Sequence, residues 1–128
     1  MAAFDPDFLV DLFAPFAPVT VRRMFSGHAV YRDGVVFALA IREGLFLKCD
    51  GEAAPLFEAE GLAPFSYATT RGTTVIASYR RMPDACLDDE EALRRWAGIA
   101  WQAAVRLGER PKRAGKGSRP RVRRPSGG

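Results

Sequence analysis

The chain has 128 residues, 48% of them apolar and 27% charged, with a net charge of +4, which is an ordinary composition for a globular domain. No apolar run approaches the ~20 residues that cross a bilayer, so no membrane partner is expected. The acidic start, where a secretory leader would be basic, predicts a cytoplasmic protein. The two cysteines are too few for a disulfide framework.

The first predicted element is a short amphipathic helix over about Asp7 to Phe16, where apolar residues recur at helical spacing. Asp5 is a suitable N-cap, and Pro6 suits the first helical position because its fixed φ is already helical. Pro15 and Pro18 end the helix, since proline cannot donate the next backbone hydrogen bond.

Three or four strands follow, with short turns between them, which indicates an antiparallel meander. The turn at Asp33-Gly34 is typical of a type I′ hairpin, because both central residues need positive φ and these two residue types tolerate it. The predicted strands are Val19–Arg23, His28–Arg32, Val35–Ile41 and Leu45–Cys49.

A second helix and a second hairpin are predicted next. Glu52 to Glu60 carries Ala, Leu and Phe between acidic residues and ends at Gly61, a common residue after a helix. Ser66–Thr70 and Thr73–Arg81 are rich in β-branched and aromatic residues, and Arg71-Gly72 is predicted to join them.

The last element is predicted to be the longest helix. Asp88 is the candidate N-cap, with Glu91 three residues later in the reciprocal capping position. A broad apolar stripe runs from Leu93 to Leu107 and Gly108 ends the helix. Trp96 and Trp101 are separated by ~140° around such a helix, so one of them is expected at the edge of the stripe.

The predicted element order is helix, three or four strands, helix, two strands, helix. Because strands and helices do not alternate as βαβ units, we expect an α+β fold with two layers. The sheet is predicted to be antiparallel, with five to six strands in two hairpin or meander units and the three helices mainly on one face.

The charges of the chain are unevenly distributed. Residues 110–128 contain eight basic residues and no acid, whereas residues 1–109 contain 15 acidic and 11 basic residues. We predict a folded domain over residues 1–108 and a disordered basic tail over residues 109–128, which has too little apolar surface to offset the entropy of ordering. The basic residues of the tail are Arg110, Lys112, Arg113, Lys116, Arg119, Arg121, Arg123 and Arg124.

Several motifs in this order resemble the TfoX N-terminal domain family, over roughly residues 15 to 107. The most specific is a basic residue followed by Met-Phe-Gly-Gly, then Tyr, Asp-Gly and Phe-Ala; Ser26 here stands at the first glycine. The matching segments are Arg22 to His28, Tyr31, Asp33-Gly34, Phe37-Ala38, Leu45 to Lys48, Pro64 to Tyr67, Ser78-Tyr79 and Trp96 to Ala104.

The resemblance implies a secretion-chaperone-like arrangement of helices over an antiparallel sheet. It also implies a link to TfoX/Sxy competence regulators, which act on transcription with the cAMP receptor protein. Full-length regulators carry a second, helical domain, whereas only the basic tail follows Gly108 here. The family has no established catalytic site, so the expectation is a non-enzymatic interaction domain with no cofactor, acting in transcription regulation or DNA-uptake competence.

Three residues could in principle carry chemistry, but their arrangement does not favour it. Ser26 and His28 are two residues apart, and no third orienting group or Gly-x-Ser-x-Gly motif accompanies them. Cys49 could lie near His28 on a neighbouring strand and form an activated thiolate. One histidine and two cysteines do not make a typical zinc site. We therefore predict no catalytic, cofactor-binding or metal-binding residues.

Five residues are candidates for contact with a protein partner or with a second copy in a homodimer. Alternation sends the two members of the pairs Arg22-Arg23 and Arg80-Arg81 to opposite faces of the sheet. The competing interpretation is that they form a solvated or salt-bridged edge. Trp101 is the fifth candidate, because a half-exposed tryptophan often anchors an interface.

Two alternative functions remain open from the sequence. The basic tail could bind nucleic acid without sequence preference, because it offers charges to phosphates but no aromatic residues or scaffold to read bases. The competing interpretation is a solubilising terminus. A groove between helices and sheet could also hold a small ligand, as such α+β domains can.

Overall fold

The computed structural model describes residues 5–24 and 27–108, which form three α-helices, a short 3₁₀ helix over Asp84–Leu87 and a six-stranded antiparallel sheet. The α+β prediction is therefore confirmed. The helices are α1 (Pro6–Phe13), α2 (Ala54–Ala59) and α3 (Glu90–Arg106). The strands are β1 (Thr20–Met24), β2 (Gly27–Arg32), β3 (Val35–Ile41), β4 (Gly44–Lys48), β5 (Pro64–Thr69) and β6 (Gly72–Arg81).

The strands lie in the order β1-β2-β3-β4-β6-β5, and each pair is antiparallel. The first four strands form the predicted meander. The final hairpin joins through β6, which leaves β5 at one edge and β1 at the other. The sheet therefore combines two hairpin or meander units, as the sequence predicted.

The helix boundaries follow the capping residues closely. The Asp5 carboxylate accepts a hydrogen bond from the Asp7 N–H at 3.4 Å, which confirms the predicted cap of α1. At α3 the prediction was off by one residue, because Asp89 and not Asp88 accepts from the N–H groups of Glu91 and Ala92 at 3.0 and 3.3 Å. Asp88 ends the 3₁₀ helix, which periodicity alone did not predict.

Two turns show how the hairpins are formed. Asp33 and Gly34 have φ angles of 51° and 77°, so the predicted turn with two positive φ values is confirmed. The second hairpin turns one residue earlier than predicted, because Gly72 already pairs with Thr69 as the first residue of β6. Helix α2 is also shorter than the predicted span of 52–60.

Apolar side chains form a separate cluster on each face of the sheet. The larger cluster lies between the sheet and the helices and includes Leu9, Phe13, Phe37 and Trp96. The second cluster lies on the opposite face, here called the outer face, and each of its described members comes from a strand. Its buried members are Ala29, Leu39, Ile41, Phe46 and Tyr79.

Some sequence predictions fall on residues outside the described part of the chain. They are the disordered basic tail at residues 109–128 and the candidate nucleophile Ser26. None of the helices within the described residues is long and apolar enough to cross a membrane.

Candidate interaction surface

A row of five side chains crosses the outer face of the sheet. The strand register pairs Arg22 with Ala29, Ala29 with Leu39, Leu39 with Phe46 and Phe46 with Arg81. These five residues, here called the arginine row, place a cation at each end and apolar side chains in the middle. Arg22 and Arg81 are exposed, whereas the three central residues are buried.

Each arginine of the row lies over an aromatic ring. The Arg22 guanidinium carbon is 5.6 Å from the centroid of Tyr31, and that of Arg81 is 5.3 Å from the centroid of Phe46. Arg81 also donates from Nη2 to the Glu43 carbonyl oxygen at 3.2 Å. A guanidinium carries its N–H donors in its own plane, where they can meet a planar anion. Both cations are thus held on the sheet with donors available at their edges.

A third cation lies deeper in the same face. Lys48 pairs with Tyr79 across β4 and β6, and its ammonium lies 4.4 Å from the centroid of the Tyr79 ring. Lys48 Nζ and the Tyr79 hydroxyl are 3.4 Å apart. Only 5% of Lys48 is exposed, so it adds positive potential beneath the surface more than a contact on it.

Charge is segregated between the two layers of the domain. The six strands contain no Asp or Glu. Acidic residues lie instead on the helices and connecting segments, and the first turns of α1 and α3 carry Asp7 and the pair Glu90 and Glu91. The strands therefore bring no carboxylate to the outer face, whereas the helical layer on the other side of the sheet is rich in carboxylates.

The two other candidate arginines lie on the helical side of the sheet. Arg23 is exposed and follows the alternation of Val21, which packs against the larger core cluster. Arg80 has 12% of its side chain exposed and donates to the Glu58 carboxylate and the Leu62 carbonyl oxygen, both at 3.0 Å. The predicted divergence is confirmed for Arg80 and Arg81, whose contacts lie on opposite faces of the sheet. Arg80 fits the salt-bridged interpretation, and contact of these residues with a partner stays a prediction.

Trp101 lies at the edge of the α3 stripe, as predicted, while Trp96 is buried in the core. The indole Nε1 of Trp101 donates to the Arg32 carbonyl oxygen at 3.2 Å. The Arg32 guanidinium in turn lies between two rings, 4.5 Å from the centroid of Trp101 and 4.9 Å from that of Phe16. Trp101 therefore joins α3 to the end of β2, and its role as an interface anchor stays a prediction.

The register keeps His28 and Cys49 apart. His28 pairs with Ala40, which pairs with Leu45, while Cys49 lies four residues beyond Leu45, about 13 Å further along the strand direction. Burial raises the pKa of Cys49, although the nearby Arg80 opposes the shift. The considered Cys-His pair is therefore not formed. No cluster of three or more metal-ligating side chains occurs among the described residues.

A protein-family model for the TfoX N-terminal domain matches residues 11–104, which is more than half of the chain. The chain belongs to the TfoX N-terminal domain family. A comparison with curated proteins gave no match. The arginine row, Trp101 and the whole sheet lie inside the matched range.

Among the described residues, a cleft with a volume of about 220 Å³ opens on the helical side of this TfoX N-terminal domain. It lies between α1 and the start of α3, and its lining combines acidic residues with apolar residues that include Leu12 and Leu93. A ligand groove between helices and sheet was one alternative left open by the sequence, whereas this cleft lies between helical segments. Its acidic lining is Asp11, Asp88, Asp89 and Glu90.

Sequence reasoning did not identify the central residues of the arginine row as a surface feature. A signal was nonetheless present, because Val35–Ile41 is an unbroken apolar run rather than an alternating one. Such a run indicates a strand that is buried on both faces. In this TfoX N-terminal domain, the β3 side chains that point away from the helices are buried in the cluster on the outer face.

Proposed function

We propose that this TfoX N-terminal domain is a non-enzymatic interaction module that acts as an accessory in transcription regulation or DNA-uptake competence. The observation that carries the proposal is the arginine row, in which two exposed cations flank an apolar centre on a face that no described helix covers. The half-buried side chains of Met24, Tyr31, Val36 and Ile76 give this face its accessible apolar surface, and apolar patches rimmed by polar groups are typical of interaction sites. Membership of the family supplies the regulatory context.

In this role the domain positions another macromolecule and does not catalyse a reaction. Rigid strands hold the two arginines, so the surface is organised before the partner arrives and little ordering entropy is lost on binding. Charge on such a surface favours rapid and selective encounter with an acidic partner.

The experiment combines binding with transcription. The full chain is immobilised, and RNA polymerase and the cAMP receptor protein from the same host are tested for binding by interferometry. In parallel, the gene is deleted and transcription of DNA-uptake genes is measured. We expect binding to at least one of these proteins and reduced transcription that the wild-type chain restores. No binding together with unchanged transcription would contradict the proposal.

A second candidate function rests on the eight basic residues of residues 110–128. In this alternative the tail binds nucleic acid through phosphates, so affinity falls steeply with salt. A full-length variant with all eight residues changed to glutamine is compared with the wild type in gel shifts. Equal affinity and equal salt dependence of the two proteins would exclude this role for the tail.

A further inference from the structure

We infer that the outer face of the sheet docks a protein segment that presents both carboxylates and apolar side chains, with the carboxylates bound by Arg22 and Arg81. This inference rests on the proposed function and names the chemistry of its partner. The exposed ends of the arginine row bind the charges, while the half-buried side chains beside it provide apolar contact. Those side chains include Met24, Tyr31, Val36 and Ile76.

The register gives the spacing that the segment must match. Arg22 and Arg81 are four strand spacings apart, or about 19 Å between backbone positions at about 4.8 Å per spacing. An extended segment covers that distance in about six residues, and a helix covers it in about 13 residues. Acidic side chains at one of these two separations can reach both arginines at once.

The surroundings of the arginines favour carboxylates. Cation–π attraction to the rings of Tyr31 and Phe46 holds the two guanidinium groups at the outer face. A carboxylate can then accept two parallel hydrogen bonds from the edge of the guanidinium. Because the six strands contain no carboxylate, the sheet itself supplies no competing anion.

Two other occupants fit the surface less well. A second copy packed face to face would bring Arg22, Lys48 and Arg81 against the same cations, and like charges at an interface oppose association. Single-stranded nucleic acid needs exposed rings for base stacking. The ring of Phe46 is only 3% exposed beneath Arg81, and Tyr79 is 8% exposed beside Lys48. An acidic and apolar protein segment is therefore the occupant that the surface favours.

The test selects binders without assuming their sequence. A phage-displayed library of random 16-residue peptides is panned against the full-length protein, and enriched peptides are measured by fluorescence anisotropy. The double variant Arg22→Gln, Arg81→Gln is compared with the matched control Arg71→Gln, Arg94→Gln. Arg71 is exposed in the turn between β5 and β6, and Arg94 is exposed on α3. A labelled 20-nucleotide thymidine strand serves as the nucleic-acid ligand.

We expect the enriched peptides to combine Asp or Glu with apolar residues and to lose at least about tenfold in affinity for the double variant, but not for the control. Replacing their acids by amides has the same effect. Chemical-shift changes on binding map to the outer face.

Enrichment of non-acidic peptides, an equal loss in the control, or no enrichment overturns the inference. If the thymidine strand binds more tightly than the enriched peptides, and its binding depends on Arg22 and Arg81, the face is a nucleic-acid surface instead. Self-association that the double variant strengthens or abolishes makes it an interface between copies. If polymerase or receptor binding survives in the double variant, the proposed function stands and this inference fails.

Discussion

The Arg106 guanidinium donates two hydrogen bonds to the Asp50 carboxylate, from Nε at 2.6 Å and from Nη2 at 3.0 Å. The same carboxylate accepts from the Ala53 N–H at 2.9 Å. Asp50 lies between the end of β4 and the start of α2, while Arg106 is the last residue of α3. One carboxylate therefore connects the middle of the chain to the end of the final helix.

Replacing Asp50 by asparagine should lower the free energy of unfolding by about 1–2 kcal/mol. Asparagine can still accept from Ala53, but it loses the charge that pairs with Arg106 in two hydrogen bonds. Partial exposure of Arg106 keeps the effect modest, since water screens the pair. Urea unfolding measures the change.

The control for Asp50→Asn is Glu52→Gln. Glu52 lies 3.4 Å from the same guanidinium, but 73% of its side chain is exposed. Its loss should have a negligible effect on stability. Equal destabilisation by both variants would contradict the central role of Asp50.

The stabilising effect of Asp50 should depend on pH. The hydrogen bonds from Arg106 hold the pKa of Asp50 below its ordinary value, although burial opposes the shift. A carboxylate with a lowered folded-state pKa stabilises the protein above its unfolded-state pKa of about 4, and that stabilisation disappears as pH falls through the folded-state value. The difference in stability between wild type and Asp50→Asn should thus be constant near pH 7 and shrink below about pH 4. A difference that grows on acidification would contradict the assignment.

Gly27 is expected to resist any side chain. A Cβ at this position would lie 2.1 Å from the Ala40 carbonyl oxygen and 2.8 Å from the Ile41 Cα, so the backbones of β2 and β3 would have to separate. Gly27→Ala should cost about 2 kcal/mol or more in unfolding free energy. Gly51→Ala is the matched control, because nothing lies within 4 Å of a Cβ there. Thermal unfolding of both variants shows whether the loss of stability comes from the close approach of the β3 backbone to Gly27 or from the replacement of any glycine by alanine.

Most of the fold could be predicted from residues that lie close together in the chain. The turn at Asp33-Gly34, the cap at Asp5 and the apolar stripe of α3 are determined by residues close in the chain, and each is confirmed. The family motif indicated the order of the elements. Register between distant strands was not predictable, because β4 pairs with β6 across an intervening helix and β5.

The candidate surface depends on that long-range register. The sequence singled out Arg22 and Arg81 as candidates, but their positions 59 residues apart do not reveal that they end one row. The contact of Trp101 with the Arg32 carbonyl oxygen is also set by tertiary packing. Periodicity in the sequence indicates which face of the sheet a residue lies on. Its neighbour on the adjacent strand is known only once the strand register is known.

The two cysteines should be unreactive in the native protein. Cys49 and Cys86 are 3% and 2% exposed, and burial raises the pKa of both thiols, that of Cys86 to about 11. A disulfide reagent needs the thiolate and access to it, so labelling at pH 8 should be slow until urea unfolds the chain, when both thiols react within seconds. The variants Cys49→Ala and Cys86→Ala show which thiol is responsible for each kinetic phase of the labelling reaction.

Raising the pH from 8 to 10 should accelerate labelling of Cys86 in the native protein, because its thiolate fraction is still increasing in that range. Rapid labelling of a full equivalent at pH 8 without denaturant would show that one thiol is accessible and ionised, contrary to the burial of both.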